Sequence, residues 1–192
     1  MPVRGKFETH TPELNRRHFI RLSAFVALGL LSPSQGLGAI RAGLKSKRSL
    51  SFYNTHTGES LKTVYWAEGE YVTGALEKIN RILRDHRTGE IESIDTQLLD
   101  LLNAIRLRLD TYKPFHIISG YRSPKTNARL RKQSCGVARN SLHMLGKAVD
   151  IRVPGFRLPG LRKAAMDLKC GGVGYYPRSS FIHVDVGRVR YW

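Results

Sequence analysis

In the segment SLHMLGKAVDIRV, Ser141 to Val153, six residues separate His143 from Asp150, and a second pair, His183 and Asp185, stands in FIHVDVG. Imidazole and carboxylate groups hold metal ions or move protons, and here they are scarce. After Asp110 the only carboxylates are Asp150, Asp167 and Asp185, and the only histidines are His116, His143 and His183. Strand alternation in KAVDIRV puts Ala148, Asp150 and Arg152 on one face, with Val149 and Ile151 on the other. In FIHVDVG the same period puts His183 and Asp185 together, while Ile182, Val184 and Val186 pack inward. Gly146 lets the chain turn, so that His143 can fold back toward Asp150. Two histidines plus one carboxylate is the ligand set of a catalytic zinc, whose fourth position stays open for water. Zinc in such a set lowers the pKa of a bound water toward about 7 and makes hydroxide available near neutral pH. Spacing alone equally admits ion-paired residues, Asp150 with Arg152 or Arg122 for instance.

Charge narrows the partners. The chain has 192 residues and a formal net charge of +17. Residues 111–192 carry sixteen Lys/Arg against three Asp/Glu, so the basicity belongs to the C-terminal part. Such a field attracts polyanions, nucleic acid or an anionic cell-wall polymer among them. NRRHFIRLSAFVALGLLSPSQGLGA decides between those two. Paired Arg16 and Arg17, then Phe19 and an apolar run from Leu22 to Leu31, resemble a twin-arginine export signal. That run is short for a bilayer span, so no stable membrane span is expected after processing; a basic amphipathic helix or an uncleaved anchor is the competing reading. Residues 1–39 are assigned to the signal, 40–49 to a basic linker and 50–192 to the folded domain. A periplasmic or cell-envelope location follows, with an anionic wall polymer and no nucleic acid as partner. Export also permits a disulfide between Cys135 and Cys170, though two independent thiols fit as well.

Several elements must position the His and Asp residues. LSFYNTHTGESLKTVYW reads as a hairpin around THTGES. Val72, Leu76, Ile79 and Leu83 keep helical spacing until DHRTGE breaks it, and Asp95 caps a second helix with Leu98, Leu101, Leu102, Ile105 and Leu109 on one face. FHIIS is a strand, SPKTNARLRKQS a helix with proline near its start, and LPGLRKAAMDLK another. GGVGYY and SFIHVDVGRVRYW give further strands about a turn at Pro177. Strands and helices mix without a βαβ period, which argues for α+β with a small, mainly antiparallel sheet and flanking helices.

SGYRS, SLHMLGKAVDIR, GGVGYYP and FIHVDVGRVRYW, in this order, resemble the LAS group of zinc peptidases, whose members include D-Ala-D-Ala carboxypeptidases, lysostaphin-type enzymes and murein endopeptidases. The chain is more closely similar to periplasmic YcbK-type murein endopeptidases, which LSFYNTHTGESL and LRDHRTGE also fit. The resemblance spans roughly Leu50 to Trp192 and implies an LAS/hedgehog-like domain. It implies Zn2+ ligands at His143, Asp150 and His183, and hydrolysis of peptide bonds in peptidoglycan cross-links or stems. It also places Arg122 of SGYRS beside the metal, to stabilise an oxyanion or bind a substrate carboxylate, with Ser119 and Ser123 in support.

Many relatives carry Glu or Asp three residues before the last ligand histidine as general base; here that position is Ser180. Asp185 is the first substitute, either accepting the proton or orienting His183 from behind. His116 is a distant further candidate. Tyr175 and Tyr176 line a groove or simply pack. A wall-binding module without activity is the alternative function. The bond cut, whether D,D, L,D or 3–3, and the oligomeric state are not legible.

Overall fold

The computed structural model describes residues 47–134 and 136–192. The export signal, residues 40–46 of the linker and Cys135 of the disulfide expectation lie outside the described residues.

Alternating burial along RSLSFYN and SLKTVYWA makes β1 (Arg48–Asn54) and β2 (Ser60–Ala67) an antiparallel hairpin, extended by the short β3 (Glu70–Tyr71). β1 begins at Arg48, inside the stretch read as linker, because Ser49 pairs with Val64 and Arg48 reaches Asp100 at 2.7 Å. Helix α1 (Thr73–Ile82) buries Ala75, Ile79 and Ile82, whereas Val72 stays 39% exposed as its cap. Of the expected stripe, Ile79 and Leu83 are buried and Leu76 packs against the core; only Val72 stays out, and Ala75 and Ile82 widen the buried face. Helix α2 (Thr96–Arg108) follows Asp95, whose carboxylate accepts from the Gln97 amide, as the cap position predicts.

The second half supplies β4 (Phe115–Ser119), α3 (Pro124–Gln133), β5 (Ala148–Arg152), α4 (Leu158–Met166), β6 (Gly172–Tyr176), β7 (Phe181–Asp185) and β8 (Arg190–Tyr191). The eight strands form one sheet in the order β3-β2-β1-β4-β5-β7-β6-β8. Five pairings are antiparallel, and two, β1 with β4 and β6 with β8, are parallel. The α+β expectation therefore holds, with a mixed sheet and four flanking helices. The two parallel contacts escape sequence reading because they join strands that are not neighbours in the chain.

One core takes Val149, Ile151, Val173, Ile182 and Val184 from the sheet together with residues of α1, α2 and α4. The opposite face carries a polar row: Ser119 pairs with Asp150, Asp150 with His183, and His183 with Gly174. Period-two alternation thus sends valine and isoleucine into the core and the chemistry to the other side.

DHRTGE does more than break α1. The buried Asp85 accepts from the amides of Arg87 and Ser123, both at 2.9 Å, tying the turn to the start of α3. Burial alone would raise its carboxyl, but hydrogen bonds from Thr126, Arg87 and Ser123 outweigh that and hold it at about 2. The folded value lies below that of an unfolded aspartate, ~3.9. Its stabilisation is therefore complete above about pH 5 and fades as the pH falls toward 2. Asp85→Ala is expected to cost about 2–3 kcal/mol at neutral pH. Thermal melts should show a loss of roughly 5–10 °C that narrows on acidification.

Candidate metal centre

Each member of the His–Asp–His set is placed by a different device. Asp150 and His183 face each other across the β5–β7 ladder, so their side chains leave the same face a few ångströms apart. His143 comes from a 3-10 turn (Leu142–Leu145) that ends at Gly146, in the left-handed region at φ 64°. A Cβ there would strike the Ser93 carbonyl oxygen, so both conformation and space demand glycine. The expected fold-back of His143 thus runs through this turn.

The three side chains are buried, and their functional atoms converge. His183 Nδ1 lies 2.9 Å from Asp150 Oδ1, His143 Nε2 lies 3.3 Å from the same oxygen, and the two ring nitrogens are 3.1 Å apart. The outward nitrogens are already engaged. His143 Nδ1 meets the Gly120 carbonyl at 2.8 Å, which makes that nitrogen the donor and leaves Nε2 as an acceptor. His183 Nε2 meets Asp185 Oδ2 at 2.9 Å, which likewise leaves Nδ1 as an acceptor. Two neutral imidazoles and the Asp150 carboxylate therefore present three acceptors to one point, with no donor between them.

Such a cluster calls for a cation. Ligands at 2.0–2.1 Å from a tetrahedral ion sit about 3.3 Å apart, close to the observed separations. Without an ion a proton fills the gap. Burial pushes His183 down, yet its bonds to Asp150 and Asp185 prevail and lift it to about 9. Burial drives His143 down, and Asp150, although desolvated, is held ionised by the two imidazoles. The donor set and its spacing fit a metal of the borderline kind that imidazole and carboxylate share.

Asp185 approaches His183 from the edge remote from Asp150. It is fully buried, accepts from the Gly172 and Gly187 amides, and binds Arg190 at 2.7 Å. Arg122 sits beside the cluster, its guanidinium 3.4 Å from Asp150 Oδ2 and 3.3 Å from Ser119 Oγ. Burial lowers its pKa, and Asp150 partly offsets that effect. Its Nε is buried and has no hydrogen-bond partner among the described residues. Ser119 thus supports Arg122 directly, whereas Ser123 caps α3 by accepting from the Thr126 amide.

A cleft of about 570 Å³ opens over the three metal-directed side chains. Arg122, Arg87, His56, Tyr176, Phe181 and Trp192 are among the residues that line it. Ser180 lies on the exposed turn before β7 at φ 55° and does not line it. Nor does His116, which packs against Tyr53 at 4.9 Å. Tyr176 reaches the cleft and Tyr175 does not; Arg162 lies over the Tyr175 ring instead. Sequence reading passed over His56, a turn residue in THTGES, because only the fold carries it to the cleft. Its ring stacks on His86 at 3.8 Å, and burial pushes His86 down to about 4, so that partner is neutral at pH 7.

Comparison with known proteins decides the family. Residues 43–192 match the family model Peptidase_M15_2, described as peptidoglycan L,D-endopeptidase MepK. The chain belongs to this family. It is 42% identical over 181 residues to the peptidoglycan L,D-endopeptidase MepK of Escherichia coli strain K12, covering 94% of this chain and 98% of that protein. The MepK of Shigella flexneri gives the same figures. A probable MepK from Haemophilus influenzae is 38% identical over 180 residues, covering 93% and 95%. The murein endopeptidase resemblance drawn from the motifs is thereby borne out, and with it membership of a metal-dependent peptidase family. Among the described residues no helix is long and apolar enough to cross a membrane.

Proposed function

We propose that this MepK-family chain is a zinc-dependent peptidoglycan peptidase that hydrolyses L,D peptide bonds in cell-wall cross-links or stems. The convergence of three metal-directed acceptors in one cleft carries the reading. The L,D preference is taken from the names of the relatives. A catalytically silent wall-binding module is disfavoured, since His143, Asp150 and His183 are all present and each is held in a metal-directed orientation.

His143 Nε2, His183 Nδ1 and Asp150 Oδ1 would hold the ion. Bound zinc supplies a Lewis acid and activates water near neutral pH. The surrounding residues do the rest. Gly120 fixes the tautomer of His143, and Asp185 fixes that of His183 while its charge makes the imidazole a better donor. We assign Asp185 to this orienting task and not to proton abstraction, because both of its oxygens are occupied on the far side of His183. Arg122 directs a buried, immobilised positive charge at the cleft, where negative charge develops on the carbonyl oxygen during attack. His56 is the one cleft-lining histidine outside the metal-directed set among the described residues, and its Nε2 is tied to the Ile118 carbonyl at 3.0 Å.

Export by a twin-arginine signal, an envelope location and attraction of the basic surface to the anionic wall complete the proposal. Mass spectrometry of muropeptides after digestion of purified peptidoglycan tests it. Cleavage at L,D bonds that stops with chelator supports it; intact muropeptides, or scission only at D,D bonds, reject it. As a separate check on Asp185, Asp185→Asn should weaken zinc affinity and kcat together, each by roughly 10–100-fold. Unchanged zinc affinity with lost kcat would return Asp185 to the role of base.

A further inference from the structure

Trp192 is 46% exposed, yet it is fixed on several sides. Its amide donates to the Val173 carbonyl at 3.3 Å, its carbonyl accepts from the Tyr175 amide at 2.9 Å, and its indole N–H donates to the Tyr176 hydroxyl at 2.9 Å. The ring rests on Gly174, the residue paired with His183 across the β6–β7 ladder; a Cβ at Gly174 would come within 2.7 Å of it. Arg190, clamped by Asp185, lies 5.0 Å from the ring centre, and the His183 ring lies 5.4 Å away. Tyr176 in turn stacks on Phe181 at 4.7 Å. A large, immobilised aromatic surface therefore borders the cleft next to a metal-directed histidine. Nothing in the proposed hydrolysis uses it.

We propose that Trp192, seated on Gly174 and backed by Tyr176, forms a subsite for the aliphatic side chain of the substrate residue that flanks the scissile bond. This rests on the peptidase reading above. Position selects the occupant. A residue spans at most about 3.6 Å of extended chain, so a group lying on Trp192 while the scissile carbonyl is near His183 comes from a neighbouring residue. A sugar several residues along the stem does not reach. Charge selects further. Arg190 already supplies a cation to this indole, which disfavours a second ammonium and leaves uncharged methylene groups as the better match. A ring held before binding loses little entropy on contact, so its area goes into affinity.

The test uses the zinc-loaded Trp66→Phe protein, in which Trp192 is the sole tryptophan of the two in the chain. Trp66 packs on Tyr71 away from the cleft, so this background should keep full activity. Two uncleavable L,D peptide analogues, with the scissile amide reduced to a methylene-amine, carry either a leucine-sized side chain or glycine beside that bond. The aliphatic analogue should quench or blue-shift Trp192 emission and bind about tenfold tighter than the glycine analogue, about 1.4 kcal/mol. In zinc-loaded Trp192→Ala, read by competition, that preference should vanish, and Trp192→Phe should restore most of it. Gly174→Ala, which lifts the ring without removing it, should lose the preference at unchanged zinc content. On soluble cross-linked muropeptides, Trp192→Ala should raise KM about tenfold and leave kcat within about twofold. Equal binding of the two analogues, no binding of either, or an emission change with wall disaccharide alone overturns the subsite. A protein that prefers the aliphatic analogue but never cleaves peptidoglycan keeps the subsite and rejects the peptidase reading.

Discussion

His143→Ala should abolish peptidoglycan cleavage, with a loss of at least about 10³-fold, while leaving a folded protein. The variant removes one of three acceptors that converge within 3.3 Å, so tight zinc binding should go with it. The fold should survive because the hydrophobic core lies on the other face of the sheet, built from residues such as Val149, Ile151, Ile182 and Val184. What the fold loses is one hydrogen bond to the Gly120 carbonyl and some packing near the turn. It also loses part of a cluster that, without metal, needs a proton on His183 for balance. Circular dichroism, zinc analysis and muropeptide release on one preparation separate these effects. A cooperative melt close to that of the parent, no bound zinc and no product is the expected set. Full activity in the variant would remove His143 from the site.

Arg122→Ala should lower kcat about 10²–10³-fold, the effect of deleting a fixed donor from an oxyanion site. Zinc content should stay near that of the parent, because Arg122 meets Asp150 through Oδ2 and the metal-directed oxygen is Oδ1. Arg122→Lys should recover only part of the rate. A lysine keeps the charge, but its compact ammonium lacks the planar, delocalised guanidinium whose Nη2 reaches both Ser119 and Asp150. Steady-state kinetics on muropeptides checks both variants. A loss confined to KM would mean that Arg122 binds a substrate carboxylate and does not stabilise the transition state.

Much of this centre is legible in the sequence. Period-two alternation in KAVDIRV and FIHVDVG put the acids and imidazoles on one face, and the β5–β7 register confirms it. FHIIS is a strand over its full length, and GGVGYY is one from Gly172 onward. Ser123, Pro124 and Asp95 marked helix starts because capping is local chemistry. What stayed hidden depends on contacts distant in sequence. The β1–β4 and β6–β8 parallel pairings leave no local mark. Asp85 reads as a turn residue until Ser123 is seen to donate to it. The orienting role proposed for Asp185 rests on the atoms that surround it, namely two backbone amides, Arg190 and the far edge of His183. Trp192 looks like one more strand aromatic until Gly174 is seen beneath it.

In the proposed mechanism, three side chains hold one zinc and this zinc makes the chain a peptidase. Titration of metal-free protein with Zn2+, following calorimetric heat and muropeptide release in parallel, tests it most directly. Both signals should saturate together at one zinc per chain, and neither should respond in His143→Ala. Product release from the metal-free protein, or zinc binding that saturates without any cleavage, would contradict it.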